Sequence, residues 1–233
     1  MRINVLQHTP NEGVGSIADW AKERRHDLYI YHPYFYNGVL PSAEETDLLI
    51  ILGGPMSPND TDDWIFKERE LIRELLKDNK PMFGACYGAQ QITKAIGYTV
   101  SKSPVKEVGW DKVYIESDTI PDLPKELMAL HWHEETFQIP KNAELLFSSE
   151  YLTNQGFLLK DNVIGLQFHF EPGPFDVKEI VTNDFSYAVD SVLNQTPKEI
   201  IDYEVPKEII DYEVPKENKD VMFKLLDFIT KSK

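Results

Sequence analysis

The chain has 233 residues, 42% of them hydrophobic and 27% charged, which suits one sizeable α/β domain spanning 1–233 and is rather short for two. Its formal charge of −15 sets up a field that repels phosphate backbones and anionic headgroups, which argues against nucleic acid and membrane as partners. A lone cysteine forms no internal disulfide, and the start from Met1 to His8 holds no apolar stretch long enough for a signal peptide or a span, so a reduced, cytoplasmic setting is expected.

Residues 2–7 read as a strand, 14–25 as an amphipathic helix and Leu28–Tyr31 as a second strand. The continuous apolar run Asp47–Leu52, broken by Gly53-Gly54-Pro55, predicts a strand buried on both faces. From Trp64 to Lys77 the apolar residues recur at helical spacing, with Glu68, Arg69, Glu70, Arg73 and Glu74 assigned to the outer face. Pro81–Ala85 is another buried strand, and 89–96 a helix. This alternation predicts right-handed crossovers and a mostly parallel central sheet flanked by helices, with ligands beyond the carboxyl ends of its strands.

From Gly109 the pattern turns to shorter pieces, Lys112–Ile115, Leu127–Trp132, Ala143–Phe147, Gly156–Leu159 and Val163–Phe170, which predict a smaller antiparallel portion. Helices are expected over 176–193 and 218–229. Between them Pro197-Lys198-Glu199-Ile200-Ile201-Asp202-Tyr203-Glu204-Val205 recurs verbatim as 206–214, and a third copy begins at Pro215. A nine-residue period matches no common solenoid, so 196–217 is expected to be a tandem-repeat surface insertion, of the kind exposed connections accept at little cost, with a docking element as the alternative.

Three places carry chemistry. Gly84-Ala85-Cys86-Tyr87-Gly88 follows a buried strand and opens a helix, the layout of a nucleophile elbow in which glycines let strand and helix approach. A single cysteine is more often a small buried hydrophobe; the glycine-flanked turn favours a nucleophile instead. A thiol nucleophile needs a base held by a third group, and His169 and Glu171 in Gln167-Phe168-His169-Phe170-Glu171-Pro172 would share one face of a strand. A His-x-Glu pair alone is weak, and its weight comes from the elbow. At Leu52-Gly53-Gly54-Pro55, bare backbone could present N–H groups to an oxyanion, with Gly54 and Tyr87 as the two donors; taken singly, Gly-Gly-Pro is a turn.

Together, and in this order, the motifs resemble those of the class I, or triad, glutamine amidotransferases. The likeness covers residues 45–172 and is greatest to the stand-alone branch related to the amidotransferase domain of GMP synthase, with Gly109-Trp110, His131-Trp132-His133 and Thr136–Pro140 adding to it. The resemblance implies a class I amidotransferase-like, flavodoxin-like fold. It implies that Cys86 attacks the γ-carboxamide of L-glutamine or a γ-glutamyl compound, that His169 protonates the departing ammonia and that Glu171 orients the imidazole. Gly53, Gln90 and His133 would then bind substrate. Two positions depart from the family pattern: Phe170 stands where many members have Pro, and Glu134 where a small residue is common. His131, Trp132 and His133 read equally well as a half-buried strand with its aromatics in the core.

No metal or cofactor is expected, and the absence of a Gly-x-x-x-x-Gly-Lys-Ser/Thr loop leaves the ammonia to a separate synthetase subunit. A partner-independent γ-glutamyl peptide hydrolase is the alternative of the same chemistry. A non-catalytic regulatory protein that keeps the fold is the alternative of another class.

Overall fold

The structure, a computed structural model, describes residues 1–36, 38–203 and 216–231. Nine strands form one sheet: β1 (Arg2–Leu6), β2 (Asp27–Tyr31), β3 (Leu48–Ile51), β4 (Met82–Ala85), β5 (Val100–Ile115), β6 (Glu126–Phe137), β7 (Ala143–Ser149), β8 (Gly156–Leu159) and β9 (Val163–Leu166), in the order β2-β1-β3-β4-β9-β8-β7-β5-β6. The pairs from β2 across to β9 are parallel and those from β9 to β6 antiparallel. The mostly parallel core with an antiparallel portion is therefore the architecture expected from the alternating pattern.

Helices α1 (Gly15–Glu23) and α6 (Lys216–Thr230) cover one face, where Ile17, Trp20, Met222 and Leu225 pack on Ile3, Val5, Leu48 and Ile50. Helices α2 (Asp63–Lys77) and α3 (Tyr87–Ala95) cover the other, through Leu71, Ile72, Leu75, Ala89 and Ile92. Strands buried on both sides need apolar residues at every position, which is why β3 and β4 are unbroken apolar runs. No helix among the described residues is long and apolar enough to cross a membrane.

Four expectations need correction. β5 starts at Val100 rather than Lys112 and pairs with β6 almost throughout, with a register shift between Lys102 and Glu107; Pro104 and the charged residues of its first half hid the strand. The strand expected over Val163–Phe170 ends at Leu166, after which the backbone crosses to β6, where His169 and Leu130 exchange hydrogen bonds of 2.9 and 3.3 Å. The helix expected over 176–193 is α4 (Pro174–Asn183), followed at Asp184 by a break and a single 3-10 turn, Phe185–Ala188. Glu68 and Arg69 are buried rather than outward: Glu68 lies three residues after Ile65 and four before Ile72, on the same helical stripe.

Most of the repeat, 204–215, lies outside the described residues. The first copy begins inside them as α5 (Pro197–Ile201), capped by Thr196, whose hydroxyl accepts from Glu199 N–H while the Glu199 carboxylate accepts from Thr196 N–H at 2.7 Å. Ile200 is fully buried among Val108, Trp110, Leu130, Val177 and Ile180. Trp110 Nε1 donates to Ile200 O at 3.1 Å, and Tyr203 stacks on the Trp110 ring at 4.7 Å. This stretch is a docked element and not an outward loop. Ile200→Ala should lower the unfolding free energy by about 2–4 kcal/mol in denaturant titration, the cost of a cavity in a packed cluster; a change near zero would mean that α5 is not held there.

Candidate active site

The turn between β4 and α3 places Cys86. Its φ of 49° and ψ of −109° are strained for a residue with a side chain, and the turn is held by Cys86 N–H donating to Leu166 O at 2.7 Å and Gln90 N–H to Cys86 O at 3.1 Å. The flanking glycines are required by contact. A Cβ on Gly84 would stand 2.6 Å from the Gly88 carbonyl carbon, and one on Gly88 would stand 2.0 Å from Ile51 O. The thiol is 7% exposed and opens into a cavity of about 600 Å³ at the carboxyl ends of the strands.

His169 and Glu171 meet this thiol although they are not on a strand. His169 Nδ1 lies 2.5 Å from Glu171 Oε1, and Glu171 Oε2 accepts from Phe170 N–H at 3.1 Å, so the carboxylate is held in place by its own backbone neighbour. The imidazole is also close enough to Cys86 for the two to influence each other's charge, while the thiol itself donates to Trp132 O at 3.8 Å. Burial opposes a charge on His169, but the Glu171 carboxylate, its hydrogen bond to the ring and the proximity of Cys86 outweigh it and hold the ring's proton well above the usual histidine range. Gln167, two residues earlier, donates to Cys86 Sγ at 3.8 Å and accepts from Gln90 Nε2 at 3.3 Å. Gln167 carries no signal of its own in the sequence beyond its i−2 relation to His169.

The two expected oxyanion donors are both set by backbone geometry. Tyr87 opens α3, so its N–H has no acceptor within the helix. Gly53 O faces His8 Nδ1 at 3.2 Å, and because a trans peptide directs C=O and N–H to opposite sides, Gly54 N–H points away from that ring. Behind the loop His8 Nε2 lies 3.0 Å from Glu68 Oε2, and Glu68 Oε1 accepts from Gln91 Nε2 at 3.0 Å, all three residues being fully buried. Nothing in the sequence marks this network beyond a histidine at the end of β1. Gly53 also marks a close approach: a Cβ there would stand 2.1 Å from Glu12 Oε2 and 3.0 Å from His169 Cε1.

His133 lines the cavity, but its ring is turned to protein partners, Nε2 3.2 Å from Glu107 Oε2 and Nδ1 3.1 Å from Glu135 O. Glu107 is buried, which alone would raise its pKa, but His133, His131 and Ser149 lower it below the usual carboxylate range. Burial pushes neighbouring His131 down to about 3, so that ring is neutral. Among the described residues Glu107, His131 and His133 form a buried group whose ligand atoms lie within 4.8 Å of one another, a set that could hold a metal ion. Ser149 and Gln155 already donate to Glu107 at 2.7 and 2.6 Å. Other parts of the wall come from Glu12 after β1, Gln90 of α3, Lys102 of β5, Trp132, Glu134 and Glu135 of β6, and Asp184 and Tyr187 beyond α4.

A family-wide sequence model described as glutamine amidotransferase class-I matches residues 16–188. The chain is 27% identical over 212 residues, 87% of its length and 84% of the relative's, to the glutamine amidotransferase-like protein YfeJ of Salmonella typhimurium. It is 31% identical to a glutamine-hydrolysing GMP synthase subunit of Methanococcus vannielii over 59% of this chain and 70% of that one. It is 30% identical to gamma-glutamyl peptidase 4 of Arabidopsis thaliana over 55% and 57%. A crystal structure of a glutamine amidotransferase from Thermotoga maritima superposes with a TM-score of 0.86 at 26% identity, covering 100% of this chain and 99% of that one. The match over 16–188 and the shared architecture place the chain in the class I glutamine amidotransferase family, a family of amide-hydrolysing enzymes.

Proposed function

We propose that the chain hydrolyses the γ-carboxamide of glutamine, or of a γ-glutamyl amide, through a thioester on Cys86. The observation that supports this best is the grouping of Cys86, on a strained strand-to-helix turn, with an imidazole that is electrostatically coupled to it and held 2.5 Å from Glu171 Oε1. In this reading the Cys86 proton already rests on His169 when the sulfur attacks the γ-carbonyl carbon. Gly54 and Tyr87 N–H donate to the oxygen as it becomes negative. The C–N bond breaks as the nitrogen takes the proton back from His169. Water then loses a proton to His169 and attacks the thioester, which releases glutamate and restores the thiol. Glu171 keeps Nδ1 of the ring engaged, so that the other nitrogen faces sulfur. Gly53, Gln90 and His133 hold the glutamyl group, His133 by fixing the Glu135 carbonyl rather than through a free ring nitrogen. No cofactor takes part in this sequence of steps.

The likeness to a GMP synthase subunit supports delivery of ammonia to a separate acceptor enzyme. The likeness to a gamma-glutamyl peptidase supports the second reading, a partner-independent γ-glutamyl hydrolase. Purified protein given L-glutamine or a γ-glutamyl dipeptide should release ammonia or amine, and Cys86→Ala should release neither. Faster turnover of the dipeptide without any partner selects the second reading; wild-type rates in Cys86→Ala would sink both.

A further inference from the structure

The cavity over Cys86 is lined by four carboxylates, Glu12, Glu134, Glu135 and Asp184, against one lysine, Lys102. A bound γ-glutamyl group presents one ammonium and one carboxylate. It therefore pairs with Lys102 and one acid, leaving a surplus of negative charge facing whatever is attached to the γ-nitrogen. When glutamine is the substrate, that attachment is only ammonia, which leaves neutral and answers none of this charge.

The wall near Glu134 and Asp184 is also aromatic. Trp132 and Tyr187 pair at 5.8 Å between ring centroids, and Trp132 and Lys106 both favour the ionised form of Asp184 beside them. Lys106 Nζ already sits 3.9 Å over the Tyr187 ring, so this aromatic wall takes an ammonium within the chain itself. Glu135 is partly satisfied by Ser57, at 3.0 Å, and by Asn59. Burial pushes the Glu12 and Asp184 carboxyls above their ordinary range, while Lys106 partly offsets this at Asp184 and His169 at Glu12, so a cation arriving beside either acid would favour its ionised form. The whole-chain charge of −15 attracts cations to the cavity as well.

We propose that the preferred substrates are γ-glutamyl amides whose leaving amine carries a second, positively charged group, such as the γ-glutamyl amide of a diamine. This rests on the reading of Cys86 as the acylated residue. The γ-carbonyl carbon exchanges its C–N bond for a C–S bond, the diamine leaves with the proton from His169, and water converts the thioester to glutamate. The cation meets Glu134 and Asp184 on the aromatic side of the cavity while the glutamyl group lies at Lys102 and Gly53.

Three amides of equal chain length test this: the γ-glutamyl amides of 1,4-diaminobutane, of butylamine and of 4-aminobutanoate. In low salt kcat/KM should fall by about tenfold from the diamine to the butyl compound and again to the anionic one, the size of a single charge interaction in a partly solvated site. The diamine-to-butyl ratio should shrink in Glu134→Gln, in Asp184→Asn and in high salt. Equal rates for the three, or the reverse order, overturn the charge preference and leave the hydrolase standing. Failure to turn over any of them overturns both.

Discussion

His169→Ala should lower kcat for γ-glutamyl amide hydrolysis by about 10⁴-fold or more, because the ring is the group beside Cys86 that can both take and return a proton. It should lower the melting temperature as well, because the buried Glu171 carboxylate loses its partner; Glu171 mutated together with His169 separates the two effects. The protein's answer to pH should follow the same ring. A histidine proton held well above the ordinary range, about 6.5, stays on past neutrality, so the alkaline limb of kcat/KM falls above that value. Glu171→Gln removes the carboxylate that opposes burial and should move that limb to lower pH, with a lower maximum. The sign for stability is parallel. A raised folded-state pKa contributes stability that is complete below the unfolded-state value and is lost as pH rises through the folded one. An alkaline limb unmoved by Glu171→Gln would show that another group sets it.

Glu68→Leu should cost about 3 kcal/mol of stability, because it leaves His8 Nε2 without its acceptor and Gln91 Nε2 with Ile65 O alone, at 3.2 Å, in a fully buried place. Glu68→Gln, which keeps one acceptor oxygen, should cost about 1 kcal/mol. Combining Glu68→Leu with His8→Leu should be less damaging than the sum of the two, since replacing both partners removes the unpaired group. Activity should fall in Glu68→Leu beyond what the stability loss explains. The lever is Gly53 O, whose hydrogen bond to His8 fixes the peptide that carries Gly54 N–H. If Glu68→Leu unfolds at the wild-type denaturant midpoint, the network is not a stabilising one.

The parallel half of the fold was legible because its signals are local: apolar runs ending in Gly53-Gly54-Pro55 or at Cys86, with helical spacing between. The elbow was legible for the same reason, since the closeness of α3 to β3 and β4 demands glycine at 84 and 88. What escaped depends on partners distant in sequence. Glu68 reads as solvent-facing until His8 and Gln91 are seen to satisfy it across 60 and 23 positions. Glu12, Asp184 and Tyr187 look like ordinary loop and helix residues, and only the packing of both segments around Cys86 brings them to one cavity. His169 and Glu171 do not share the strand face that their spacing predicts. They are brought to Cys86 by the crossing of the chain to Leu130 rather than by continuation of β9.

The docking of α5 gives the exact tandem repeat a genetic consequence. Removing residues 197–205 or residues 206–214 produces the same polypeptide, in which Thr196 is still followed by Pro-Lys-Glu-Ile-Ile-Asp-Tyr and α6 is still preceded by the same proline. Unit loss by replication slippage therefore changes the spacing between the two helices and nothing in their own sequences. A lesion at Ile200 can consequently revert without back-mutation: an in-frame loss of the damaged unit brings an intact copy next to Thr196, in the position from which the buried isoleucine packs.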